Sequence, residues 1–145
     1  TEERVNMFPQ YEQWIRMYYG RWEEMLGDSI SETVLILNKL LKKSDYRVAA
    51  LTNWSAETFP VALERFEFLH RFEGIVVSGT EKTRKPFHEI YQLTLDRFDF
   101  KAEESLFIDD NLRNIEAAAE LGIHTIHFKS PADLEYNLKA KAIRI

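Results

Sequence analysis

The chain has 145 residues, of which 45% are hydrophobic and 13% aromatic, enough apolar material for one domain with a core. Its net charge is −5 and it has no long basic run, which argues against a nucleic-acid partner. It contains no cysteine, which excludes disulfides and thiolate chemistry, and no apolar stretch near the roughly 18 to 20 residues of a membrane span. We therefore expect a cytoplasmic protein with no membrane or nucleic-acid partner, in which any metal binds through oxygen or imidazole.

Two amphipathic helices are predicted before the first strand. Between Tyr11 and about Leu26, apolar and mostly aromatic residues recur at spacings of three and four, which indicates a helix. Ser29 followed three residues later by Glu32 is typical of a capping box, and it predicts that a second helix begins there. The apolar positions of this second helix share one side: Ile30, Val34, Leu37, Leu40 and Leu41.

The rest of the chain alternates between strand and helix patterns. Apolar runs predict strands at 47–52, 74–78, 105–108 and 123–128. Helices are predicted between them, at about 55–68, 86–98 and 114–121, with Gly122 as a left-handed C-terminal cap, and a last helix opens at Ser130-Pro131. This alternation predicts an α/β fold in which helices flank a parallel sheet.

Polar residues stand where three of these elements begin or end. Thr52 closes the first strand, Lys85 precedes a helix start, and Asp109 with Asp110 ends the third strand. Because ligands bind beyond the carboxyl ends of strands in open parallel sheets, we expect these side chains to meet. Paired carboxylates supply the hard oxygen ligands that Mg²⁺ prefers, and an ammonium with a hydroxyl suits a phosphate.

Each of these residues has a simpler interpretation when it is taken alone. The carboxylate pair and Thr52 would each cap the helix that follows, and Lys85 would be a solvated surface lysine. Their order and spacing together favour the phosphate interpretation. The histidines lie on different predicted elements without metal-ligand spacing, and the aromatic positions favour core packing over a substrate wall: Trp14, Tyr18 and Trp22.

Three short motifs, in this order, resemble those of the haloacid dehalogenase-like (HAD) hydrolases with a helical cap, a subgroup of phosphatases and haloacid dehalogenases. They are Leu-Thr-Asn at 51–53, Lys-Pro at 85–86, and Phe-Ile-Asp-Asp-Asn at 107–111 followed by Asn-Ile-Glu-Ala-Ala at 114–118. The resemblance extends from about Ile30 to the C-terminus. It implies a Rossmann-like parallel sheet and Mg²⁺-dependent phosphoryl transfer through an aspartyl-phosphate intermediate.

The resemblance also implies roles for individual residues. Thr52 would donate a hydrogen bond to the transferring phosphoryl group, and the backbone amide of Asn53 would bind the phosphate. Lys85 would neutralise charge on the phosphate and on the nucleophile. Asp109 and Asp110 would hold Mg²⁺, so the catalytic residues would be Thr52, Lys85 and Asp109.

The family's first motif has no counterpart before Thr52. That motif is an apolar strand ending in Asp-x-Asp, which supplies the nucleophile and the general acid/base and lies between the strands that carry Thr52 and Asp109. The upstream acidic residues lie in helical or turn contexts: Glu23, Glu24, Asp28 and Asp45. We therefore expect an inactive C-terminal portion of a longer protein whose missing N-terminal segment completes it. In this view residues 1–28 end a helical cap and residues 29–145 form an incomplete core.

Three functions are compatible with these features. A phosphatase for a small phosphorylated metabolite is favoured, because the carboxylate pair supplies a metal site that dehalogenation does not need. A 2-haloacid dehalogenase-type hydrolase is the enzymatic alternative, and a non-catalytic module that binds Mg²⁺ and phosphate, or another protein, is the third. A response-regulator receiver uses similar residue types, but its acidic pair comes first in the chain and here it comes last.

Overall fold

The computed structural model describes residues 1–43 and 45–145. No helix in this described part is long and apolar enough to cross a membrane. The described residues form nine α-helices: α1 Glu2–Met7, α2 Glu12–Gly20, α3 Trp22–Met25, α4 Ser31–Leu41, α5 Phe59–Arg65, α6 Ser78–Glu81, α7 His88–Phe98, α8 Leu112–Glu120 and α9 Pro131–Ala140.

Within these residues, four short strands form two separate parallel pairs. Strand β1, Ala50–Thr52, pairs with β2, Ile75–Val77, and β3, Leu106–Asp109, pairs with β4, His124–His127. Helices lie on the connections between paired strands, as parallel pairing requires. The predicted α/β fold of parallel strands flanked by helices is confirmed, although β1, β2 and β4 are shorter than the sequence pattern indicated.

The core consists of three apolar clusters around these strand pairs. The largest joins Val76 of β2 to the inner faces of α7 and α8, where Ile90 and Ala118 have no exposed surface. A second joins Ile36 of α4 to β4 and α9, and a third surrounds Phe59 of α5 beneath the loop after β1. Both strand pairs are therefore covered by helices that bury their apolar sides.

Local sequence signals set several helix ends as predicted. The Ser130 hydroxyl accepts a hydrogen bond from the Asp133 amide at 3.1 Å, with Pro131 in the first turn of α9. Gly122 follows α8 with φ of 79°, the left-handed conformation expected of a residue just past a helix end. The cap of α8 was not predicted: the Asn111 side chain accepts from the Arg113 amide at 3.0 Å, and the helix begins at Leu112 rather than at the predicted 114.

The predicted capping box at Ser29 is wrong. Helix α4 begins at Ser31, and its cap position, Ile30, makes no side-chain capping bond. A cap contributes about 1 kcal/mol, whereas burying an isoleucine contributes about 1.5 to 3 kcal/mol. Ile36, which is 4% exposed and was not among the predicted apolar positions, is the buried residue of α4. This helix is therefore held by the packing of Ile36 and not by the predicted capping bond.

The single helix predicted from Tyr11 to Leu26 is also wrong. Helix α2 ends at Gly20, and the short α3 starts at Trp22. Glycine inside a helix costs about 0.5 to 1 kcal/mol relative to alanine, which favours a break there. Trp22 packs against Trp54 with ring centroids 6.0 Å apart, but Trp14 is 64% exposed, so the aromatic positions are not all core residues.

A cleft of about 600 Å³ separates β1 from β3. Its walls are mostly apolar and come from both strands and from α4, including Leu51, Ile108 and Val34. The Ala50 amide donates to Gly74 on the β2 side, so the backbone groups of Leu51 point away from β2. By the same alternation, the backbone groups of Ile108 point away from β4. Two strand edges therefore face each other across the cleft.

Candidate functional site

The Lys85 side chain links the carboxyl ends of β1 and β3. Its ammonium donates to the Leu51 carbonyl at 2.9 Å and to Asp109 Oδ2 at 2.6 Å. The Lys85 and Asp109 side chains are only 9% and 7% exposed. A buried, charge-assisted ion pair thus joins the two strand pairs at one mouth of the cleft.

Two further donors orient the Asp109 carboxylate. Its Oδ1 accepts from the Asn111 amide at 2.8 Å and from the Asn114 side chain at 3.0 Å. Asn114 is buried in the first turns of α8, and the amide ends of a helix favour a negative charge. Sequence reasoning assigned no role to Asn114. Its position five residues after Asp109 was the available signal.

Tyr91 of α7 contacts α8 and β3, the two elements that hold Asp109 and its donor Asn114. Its hydroxyl donates to the Asn114 carbonyl at 2.9 Å, and its ring meets Phe107 edge-on, with centroids 5.4 Å apart. Burial raises the pKa of the Tyr91 phenol above its ordinary range, and the negative charge of Asp109 acts in the same direction. The phenol therefore stays neutral and keeps donating. Tyr91 lies on an apolar helix face, so sequence reasoning missed it.

The Asn53 side chain turns toward the main chain of Lys85. Its Oδ1 accepts from the Lys85 amide and its Nδ2 donates to the Lys85 carbonyl, both at 2.9 Å. Asn53 itself is exposed, whereas Lys85 is buried. The sequence had suggested only a role for the Asn53 backbone amide, so this side-chain contact is an addition.

Thr52 and Asp110 complete the set of predicted site residues. Thr52 is half-buried, ends β1, and directly follows the carbonyl that holds the Lys85 ammonium. Asp110 is exposed, and its backbone carbonyl lies 2.9 Å from His127 Nε2. The fold thus brings Lys85 into contact with Asp109 and with the Leu51 carbonyl, and it places Thr52 next to that carbonyl at the end of β1.

Hydrogen bonds join the loops after β1 and β2 next to the candidate site. Gly79 donates its amide to the Trp54 carbonyl at 2.9 Å, and the Ser78 hydroxyl accepts from the Trp54 amide at 3.0 Å. A Cβ on Gly79 would collide with the backbone of Ala56. Close backbone contact at Gly79 therefore holds the loop that carries Asn53.

The residues at this site offer a divalent metal an incomplete set of ligands. Within residues 1–43 and 45–145, no cluster of three or more histidine, cysteine, aspartate or glutamate side chains is arranged to hold an ion. Asp109 and Asp110 are hard oxygen donors of the type Mg²⁺ prefers, but Mg²⁺ takes six ligands. Water, phosphate or a further carboxylate would have to supply the others.

The chain is similar to several phosphatases over part of their length. It is 36% identical over 87 residues to the sesquiterpene phosphatase astK of Aspergillus oryzae, covering 60% of this chain and 44% of that protein. It is 31% identical over 101 residues to the glyceraldehyde 3-phosphate phosphatase of Pyrococcus furiosus, covering 66% and 42%. It is 29% identical over 111 residues to the pyrophosphatase PpaX of Bacillus cereus, covering 77% and 49%. The chain spans less than half the length of each of these three relatives.

Solved structures and a family model agree with this similarity. A HAD family enzyme of Bacteroides thetaiotaomicron in complex with magnesium superimposes with a TM-score of 0.70 and 26% identity, covering 83% of this chain and 63% of that one. The same enzyme with magnesium and inorganic phosphate gives 0.66 and 28%, covering 77% and 58%. The model of the haloacid dehalogenase-like hydrolase family matches residues 2–128. The chain belongs to the haloacid dehalogenase-like hydrolases.

Proposed function

We propose that this chain forms the phosphate-binding and metal-binding part of an Mg²⁺-dependent phosphatase that acts on a small phosphorylated metabolite. The observation that carries the proposal is the buried Lys85 ammonium, which bridges the ends of β1 and β3 at the mouth of an open cleft. A fixed ammonium at the carboxyl ends of parallel strands attracts a phosphate dianion. The phosphatase names of the similar proteins support the same reaction class.

In this proposal each predicted residue has its own role at the site. The Thr52 hydroxyl and the Asn53 backbone amide donate hydrogen bonds to phosphoryl oxygens, and Lys85 neutralises negative charge beside them. Asp109 and Asp110 hold Mg²⁺ through carboxylate oxygens. When bound, Mg²⁺ adds positive charge next to the phosphate.

A β-strand from an N-terminal segment of the same protein completes the site by entering the cleft. The cleft has apolar walls, and the strand edges at Leu51 and Ile108 face each other across it. Buried backbone groups without a strand partner cost about 1 to 3 kcal/mol each, and the Leu51 carbonyl is bonded by the Lys85 ammonium and not by a strand, so a parallel strand between the two edges is favoured. A carboxylate at the end of that strand would lie beside the Lys85 ammonium.

The incoming strand supplies the reactive carboxylates. The first carboxylate attacks phosphorus to form an aspartyl phosphate, while the second donates a proton to the departing alcohol oxygen. The second carboxylate then takes a proton from water, whose oxygen attacks phosphorus and releases inorganic phosphate and the free carboxylate. Without that strand, this chain has no turnover.

Residues 1–28 are the end of a helical cap over the site in this proposal, and residues 29–145 are the core. Trp22 of α3 packs on Trp54 in the loop after β1. Arg65 of α5 donates to the Glu23 carbonyl at 3.3 Å and to Asp28 at 3.1 Å. These contacts hold the N-terminal helices beside the proposed phosphate site, where they would shape substrate choice.

The test restores the upstream coding segment and measures phosphate release from p-nitrophenyl phosphate. We expect Mg²⁺-dependent release by the extended protein and none by residues 1–145 alone. Asp109→Asn should reduce the rate about 100-fold or more, as expected when one preorganised charged group is lost. Asp96→Asn is the matched control, because Asp96 is an exposed α7 aspartate that accepts from Gln92.

Two results would contradict the proposal. A rate for Asp109→Asn equal to that of Asp96→Asn would remove Asp109 from the chemistry. Phosphate release that persists after chelation of the metal would exclude the Mg²⁺ role. Metal-independent halide release from a 2-haloacid would identify the dehalogenase alternative instead.

A further inference from the structure

The Asn53 side chain makes two hydrogen bonds to the main chain of one residue, Lys85. An asparagine amide has an acceptor and a donor side by side, and both are used here, at 2.9 Å each. The two residues are 32 positions apart in sequence. The contact therefore joins the loop after β1 to the segment between α6 and α7.

This contact fixes the main-chain position of Lys85, from which the side chain extends. A lysine side chain has four rotatable bonds, so its ammonium is defined only when both of its ends are held. At the far end, the ammonium is held by the Leu51 carbonyl and by Asp109. At the near end, Asn53 holds both main-chain polar groups.

A purely structural role explains this contact less well. The loop after β1 is already fastened by the hydrogen bonds of Trp54 with Ser78 and Gly79. Asn53 is exposed, so removing its amide leaves no cavity in the core. What the Asn53 amide adds to these contacts is control over the position of Lys85.

We propose that the Asn53 side chain is a positioning residue that aims the Lys85 ammonium at the bound phosphate. The hydrogen bonds of Asn53 do not depend on the proposed phosphatase function, but their effect on phosphate binding rests on it. The side chain acts through Lys85 and does not touch the phosphate. Its effect should therefore vanish when Lys85 has no ammonium.

The first measurement needs no ligand. The ¹H–¹⁵N signal of the Lys85 ammonium is recorded by NMR in the 145-residue chain and in Asn53→Ala and Asn53→Asp. Both variants should shift this signal and speed its hydrogen exchange, because the lysine stem is freed. Asn53→Asp nearly preserves side-chain shape, which covers the case in which Asn53→Ala folds poorly. Asn137→Ala is the matched control, since it removes a side-chain bond to the Asp133 carbonyl on α9.

The second measurement is the affinity for inorganic phosphate in the presence of Mg²⁺, by calorimetric titration. Asn53→Ala should weaken binding about tenfold, the size expected from losing one or two orienting hydrogen bonds. In a Lys85→Met background, the same change should weaken binding less than about twofold, because coupled residues are not additive.

Two results would overturn the positioning role. An identical Lys85 ammonium signal in Asn53→Asp and Asn137→Ala would show that the contact does not place the ammonium. An equal loss of phosphate affinity with and without the Lys85 ammonium would show that Asn53 acts on its own. If the Asn53 variants shift the ammonium signal but the unmodified chain binds no phosphate, the positioning role stands and the proposed function fails.

Discussion

Replacing Lys85 by methionine should destabilise the fold strongly, because Asp109 would keep its charge in a buried place without a cation. Removing one partner of a buried ion pair costs about 3 to 5 kcal/mol. Asp109 retains two donors, from Asn111 and Asn114, which places the expected loss near the lower end, about 3 kcal/mol. Methionine preserves the length and apolar character of the lysine stem, so little packing should be lost.

The loss is measured by urea unfolding followed by circular dichroism. With a urea dependence of about 2 kcal/mol per molar, the midpoint should fall by about 1.5 M. Lys101→Met is the control, since Lys101 pairs with Glu104 at 3.0 Å on the surface, and its midpoint should hardly change. If Lys85→Met and Lys101→Met have the same midpoint, the buried bridge does not stabilise this fold.

A double variant separates loss of charge from loss of packing. Asp109→Asn in the Lys85→Met background removes the uncompensated carboxylate, and we expect it to recover about half of the lost stability. Asp109→Asn alone should destabilise, because the Lys85 ammonium is then left without its anion. If the double variant were no more stable than Lys85→Met, an unpaired charge would not be the cause of the loss.

Four further substitutions test the supporting structure by urea unfolding, with phosphate affinity measured as well for Gly79. Tyr91→Phe should cost about 1 kcal/mol by removing the hydrogen bond from the Tyr91 hydroxyl to the Asn114 carbonyl, and an unchanged midpoint would show that this bond does not stabilise the fold. Gly122→Ala should lower the free energy of unfolding by about 1 kcal/mol, because the φ of Gly122 is 79°. Gly20→Ala has no such strain and should raise the free energy of unfolding by about 0.5 kcal/mol. Equal effects of the two substitutions would contradict the backbone conformation of Gly122. Gly79→Ala should lower both stability and phosphate affinity, because its Cβ would push away the loop after β1, and normal phosphate affinity would show that this loop does not form the site.

Helices in the second half of the chain were predictable because their signals are local. Ser130 and Pro131 mark the start of α9, and Gly122 marks the end of α8. Such signals act within one helical turn and do not depend on what packs against the helix. The N-terminal half was less predictable. There the buried side of α4 was not predicted, because Ile36 packs against β4 and α9, which lie far along the chain.

The proximity of the candidate site residues was predictable in part, but their contacts were not. Thr52 and Asp109 end parallel strands, whose carboxyl ends share one edge, whereas Lys85 precedes α7 and was grouped with them by the order of the motifs. The partners of these residues were not visible, since Asn53 and Lys85 are 32 residues apart and Tyr91 and Asn114 are 23 apart. Asparagine and tyrosine have many available partners, and sequence spacing does not choose among them.

By itself, the sequence determined the α/β class and the family resemblance, and it supplied the candidate site residues that the proposals above use. Each of these follows from periodicity, turn chemistry or short motifs, which act over a few residues. Only the tertiary structure decided that β1 and β3 stand apart across a cleft and that the Lys85 ammonium joins them. The physical reason is that strand pairing and buried ion pairs depend on groups brought together from distant parts of the chain, whose geometry no local pattern encodes.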